Sequence, residues 1–138
     1  MSRLRPWQRM VLATVMVLAA LLLASWTASR FLPPAWQQMV PTPLGYLAPV
    51  SYLVTTACMA LGGAIAGRRF LVVALGLTFA LWIATFVLLA NIALPAADGG
   101  HPLLAILRMN AASAVLSLAA AALGTHLGTR WQALRATA

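Results

Sequence analysis

Acid is almost absent from this chain. Asp98 is the only carboxylate side chain, there is no lysine, and charged residues make up 7% of the whole. A soluble domain of ordinary composition carries roughly a quarter charged residues. Nine arginines, one aspartate and two histidines cannot wet a chain of 138 residues that is 63% hydrophobic. Lipid is therefore the expected solvent for much of its surface. A single carboxylate also excludes two-carboxylate hydrolysis within one subunit. It disfavours coupled proton or cation transport, which commonly uses a buried acid. Cysteine is as scarce: Cys58 stands alone inside an apolar run, which excludes an internal disulfide and leaves a small packed residue as its expected role.

What is present is apolar length edged with arginine. The formal charge of +8 comes entirely from arginine. Nucleic-acid binding needs clustered charge on a soluble scaffold with polar flanks. Here the arginines border apolar runs, a placement that suits anionic lipid headgroups instead. No nucleic-acid partner is expected. The expected partner is a bilayer with anionic lipids at its cytoplasmic face.

Four apolar runs are expected to form transmembrane helices, approximately at 10–29, 46–67, 70–94 and 103–127. At about 1.5 Å per residue each is long enough to cross a hydrocarbon core about 30 Å thick. No alternation of period two persists, so helices and not barrel strands are the spanning element. Pro33, Pro34, Pro41 and Pro43 stop the first helix. Gly67, Arg68 and Arg69 read as a tight joint between two antiparallel helices, and Pro95, Asp98, Gly99, Gly100 and Pro102 separate the third run from the fourth. The expected fold is all-α: a polytopic membrane protein with one domain, 1–138, and four transmembrane helices in an up-down-up-down bundle.

Arginine placement sets the expected orientation. With the N-terminus inside, Arg3, Arg5, Arg9, Arg68, Arg69, Arg130 and Arg135 fall on the cytoplasmic side, leaving Arg30 and Arg108 towards the other. This bias over short loops predicts a multi-pass protein of the bacterial inner (plasma) membrane with both termini cytoplasmic. Trp7, Trp26, Trp36, Tyr46, Phe70 and Trp131 fall near the expected interfaces, and Trp82 falls mid-span. Residues 1–28 also have the basic start and apolar stretch of a secretory signal. Cleavage after Ala28 would put Trp26 where a small residue is required, so the first helix is expected to be retained.

Small and polar residues recur at helical spacing. The fourth run carries Asn110, Ser113, Ser117, Ala121, Gly124 and Gly128, and the second carries Thr56, Ala60, Gly63 and Gly67. Steps of three and four put each set on one face. Such faces let transmembrane helices approach closely, because lipid supplies no hydrophobic drive between them. Gly63, Gly67, Ser113, Ser117, Gly124 and Gly128 are the expected packing residues.

Candidates for chemistry are few. Arg108 lies roughly two turns inside the fourth run, where a charge must snorkel, pair or meet water. Asn91, Asp98 and His101 could join it in a polar site near the outer surface. His101 and His126 stand about 37 Å apart along one helix, too far to share a metal or to ligate one haem. No catalytic set, metal site or cofactor is expected. The stretch Gly62–Arg69 has Arg68 and Arg69 where a phosphate-binding loop needs Lys and Ser or Thr, and it ends an apolar helix instead of linking strand to helix.

The reading that follows is an inner-membrane protein of accessory or structural role, packing with itself or with a larger membrane complex. One alternative is a small transporter or channel component for an anionic or lipid-like substrate. Another is a membrane enzyme acting on lipid headgroups.

Overall fold

The computed structural model describes residues 5–43, 45–93 and 102–136. Its elements in order are helix α1 (Pro6–Phe31), the short helix α2 (Pro34–Gln37), strands β1 (Val40–Thr42) and β2 (Gly45–Leu47), and helices α3 (Pro49–Ala66), α4 (Phe70–Ala93) and α5 (Pro102–Ala136). A 3₁₀ turn at Gly67–Arg69 joins α3 to α4. Pro6, Pro49 and Pro102 each begin a helix. At that position the missing N–H deprives no carbonyl of a partner, and the fixed φ already suits the helix. Each end of α1 has a local lock. At its start the Arg5 backbone N–H donates to Gln8 Oε1 at 2.9 Å, and past its end Gln37 Nε2 donates to the carbonyls of Ala28 and Leu32 at 3.1 and 2.7 Å.

The expectation of four separate spans in an up-down-up-down four-helix bundle is corrected here. Among the described residues the structure has three apolar helical segments of spanning length, Pro6–Phe31, Pro49–Ile92 and Leu103–Arg135. The second and third runs form one stretch because a 3₁₀ turn, Gly67–Arg69, follows α3 and leads into α4 with no residue between. The backbone N–H of Phe70 reaches the carbonyls of Gly67 and Arg68, and α4 starts at once. The stretch is bent, not straight. Gly67 has φ +71°, a left-handed conformation open to glycine at little cost. Ser51 and Thr55 line one cavity with Thr78 and Trp82, so the two halves of the stretch lie alongside each other.

Lipid exposure follows from packing. The most apolar window of each segment has a mean hydropathy of 2.2, 2.5 or 1.7, yet only 11% of each window is buried. Leu22, Leu53 and Val72 are each more than 70% exposed. Such surface does not persist in water. The chain is a multi-pass membrane protein, mostly helical, and its outward apolar face is the one that meets lipid.

The interior is small and sits between the helices. Ala13 and Val17 of α1, Cys58 and Met59 of α3, Phe70 and Ala74 of α4 and Ala121 of α5 form its core. Phe70, expected near an interface, is fully buried, and its ring occupies the space where a side chain at Gly62 would project. The largest helix interface joins α3 to α5, and these two run parallel. Side chains at Gly124 and Gly128 would run into the carbonyl oxygens of Thr56 and Ala60, and one at Gly63 into that of Thr125. Thr125 is itself 1% exposed and donates to the Ala121 carbonyl at 2.9 Å, as hydroxyls inside apolar helices commonly do. Further along the seam Tyr52 Oη and Ser113 Oγ lie 2.6 Å apart in a hydrogen bond. Ser117 instead donates to the Ser113 carbonyl at 2.8 Å.

Arginines gather at one end of this assembly. The start of α1 lies towards the Gly67–Arg69 turn, because Ala13 and Val17 pack with Phe70 while Ala28 and Ser29 line a cavity with Ala48 and Ser51. The turn in turn abuts the last part of α5, where Gly67 faces Gln132 and Arg68 shares a pocket with Thr129. Arg5, Arg9, Arg68, Arg69, Arg130 and Arg135 therefore belong to the same end. Arg9 is half-buried there, and Arg135 stacks on Trp131 with its guanidinium carbon 4.1 Å from the ring centre.

Candidate functional site

The opposite end is capped by a β-hairpin that the sequence did not announce. β1 and β2 pair antiparallel, with Val40 opposite Leu47, Pro41 opposite Tyr46 and Thr42 opposite Gly45. The Thr42 hydroxyl donates to the Gly45 carbonyl at 2.6 Å and closes the turn. Gly45 has φ +116°, and a side chain there would strike the carbonyl of Met109. That contact seats the hairpin directly on the first turns of α5.

Between hairpin and helix lies a cleft of about 530 Å³, lined among others by Pro41, Thr42, Tyr46, Leu104, Arg108 and Met109. Its walls are mostly prolyl, leucyl and methionyl surface. Arg108 supplies the one charge among these lining residues and is exposed. A guanidinium at the mouth of an apolar cleft offers five fixed donors to a planar or tetrahedral oxyanion, and the apolar wall suits a hydrocarbon attached to it.

Of the other members of the expected polar site, Asn91 alone is among the described residues. Asn91 is exposed and turns back onto its own helix, where Nδ2 donates to the Val87 carbonyl at 2.9 Å, and it does not line the cleft. Asn110 likewise donates to the Ile106 carbonyl at 2.9 Å. Asp98 and His101 lie outside the described residues, as does Arg3 among the expected topology determinants. Among the described residues no group of three or more His, Cys, Asp or Glu side chains could hold a metal ion.

Reasoning from the sequence missed Thr42 and Tyr46 as neighbours of Arg108. Their signal was available only in part: Thr42 sits between two prolines, a pattern that reads as a loop and carries no hint of what it covers. Comparison with protein-family models, curated proteins and solved structures gives no match.

Proposed function

We propose that this chain is a non-catalytic accessory protein of the bacterial inner membrane that holds an anionic, lipid-like group in the cleft between its hairpin and α5. It packs with itself or with a larger membrane complex. The observation that carries the reading is the position of Arg108, a lone cation on the wall of a mostly apolar cleft. A charge near the hydrocarbon boundary must snorkel, pair or meet water. A lipid headgroup phosphate supplies the counter-charge, and its chains supply apolar contact for Leu104 and Met109. The arginine-rich end, with both termini, faces the cytoplasm, where the positive-inside bias puts it. The hairpin and Arg108 then face outward.

Variants at position 108 test the cleft. Arg108 is exposed, so Arg108→Lys and Arg108→Gln are expected to melt within about 0.5 kcal/mol of wild type, the usual range for surface changes. In an Arg68→Ala background, which takes the basic pocket at the other end out of the measurement, retention of phosphatidylglycerol in detergent is expected to fall about fivefold on adding Arg108→Gln, the worth of one basic group at a membrane surface. Arg108→Lys should lose part of that, because an ammonium keeps the charge and not the planar fork. Equal retention with and without Arg108→Gln in that background would remove the proposal.

A further inference from the structure

At the arginine-rich end a second pocket, of about 370 Å³, opens between the Gly67–Arg69 turn, α4 and α5. Arg68 and His126 bring two basic side chains to it, Thr129 stands beside them, and Leu71 and Ala122 form an apolar wall. The Thr125 and Thr129 hydroxyls spend their protons on the Ala121 and His126 carbonyls at 2.9 and 2.8 Å. The donors left to face a ligand are the guanidinium and the imidazole, which selects an oxyanion over a neutral solute.

The position of the pocket narrows the oxyanion further. His126 follows Arg108 by 18 residues, five full turns, so both lie on one face of α5, about 27 Å apart along the axis. That is close to the thickness of a hydrocarbon core, about 30 Å. Between them Ala111, Val115 and Ala119 are exposed and apolar. A phosphate held by Arg68 and His126 thus has a hydrocarbon-facing stripe leading away from it, as a lipid needs and a free ion does not. Basic pockets between helices on the cytoplasmic side are a recurring way to bind such headgroups.

We infer that the Arg68–His126 pocket binds the phosphate of an anionic phospholipid, with an acyl chain laid along the Ala111–Val115–Ala119 stripe of α5. It is a site separate from the Arg108 cleft. It rests on the proposed orientation only for the name of the leaflet, since binding in detergent does not depend on topology.

Native mass spectrometry of the full chain in nonionic detergent tests it, in an Arg108→Gln background that takes the other cleft out of the measurement. Phosphatidylglycerol, phosphatidylcholine and inorganic phosphate are the three probes. Arg68→Ala and His126→Ala are each expected to weaken phosphatidylglycerol binding about fivefold, the worth of one basic group for the first and of one hydrogen bond for the second. Phosphatidylcholine binding should not change, and inorganic phosphate should not displace the lipid. Arg135→Gln removes the same charge from the same end and serves as the control; its effect should stay within about twofold, as for an exposed surface charge. An equal loss in Arg135→Gln would overturn the site in favour of diffuse attraction. Displacement by inorganic phosphate would overturn the lipid in favour of a free anion. Both basic residues are exposed, so folding is expected to survive either change, and His126→Ala stands as an independent test should Arg68→Ala not fold.

Discussion

Gly128→Leu is expected to cost this protein most of its folded yield in detergent. The side chain would enter the space held by the Ala60 carbonyl and the Ala64 backbone nitrogen. Backbone cannot swing aside as a side chain can, so α3 and α5 must separate. Overpacking costs about 1–3 kcal/mol in an ordinary core and more where nothing yields. Against a total stability of about 5–15 kcal/mol the expected loss is at least 3 kcal/mol, seen as a melting midpoint lowered by about 10 °C. Gly124→Leu, aimed at the Thr56 carbonyl, should behave alike. Gly76→Leu is the control, since Gly76 is exposed and nothing lies within 4 Å of a Cβ there, and it should melt near wild type. Equal stability of the Gly128 and Gly76 variants would mean that α3 and α5 do not meet as described.

Phe70→Ala should have the second largest effect, through a different mechanism. Phe70 is 0% exposed and fills the gap beside Gly62 where the Gly67–Arg69 turn enters α4. Burying an aromatic ring from water and then deleting it costs about 3–5 kcal/mol. Within a bilayer the unfolded reference already holds the ring in lipid, so the packing part dominates. The expected loss is therefore at the low end, about 3 kcal/mol, read from unfolding in mixed micelles. Phe70→Leu should recover more than half of it by refilling the cavity. A Phe70→Ala protein that unfolds within about 0.5 kcal/mol of wild type, as a surface variant does, would show that the ring is not packed.

These two positions also mark what could be read from the sequence. Steps of three and four in Thr56, Ala60 and Gly63, and in Ser117, Ala121 and Gly124, reveal small faces because helical periodicity is a local property. Which small face meets which is not local. The parallel match of Ala60 with Gly128, and the burial of Thr125 beside Gly124, depend on how the whole chain folds. Phe70 reads as an interfacial aromatic from its place beside Arg69, and only the bend after Gly67 turns it inward. That joint also misled the count of spans. Glycine and two arginines look like a break, yet three residues are enough for a 3₁₀ turn that carries helix into helix.

The candidate site was less legible. Arg108 stands out because a charge inside an apolar run is rare. The cleft beside it depends on the hairpin, and two prolines in Val40–Thr42 and its neighbour argue against any strand there. Edge position resolves the conflict: a two-stranded hairpin has no central strand, so a proline can sit where no ladder bond is required. Glycine suits position 45 both by its φ of +116° and because the Met109 carbonyl leaves no room for a side chain. That constraint comes from a residue 64 positions further along the chain, beyond the reach of any local pattern.

Orientation links the two ends, since it decides which cleft meets which leaflet. Fusions of a cytoplasm-active fluorescent reporter and an exported phosphatase at Ala138 and Gly99 test it most directly. With the arginine-rich end inside, Ala138 fusions should fluoresce and lack phosphatase activity, and Gly99 fusions should do the reverse. Phosphatase activity at Ala138 would contradict the account, because the end of α5, and with it Arg68 and His126, would then lie outside.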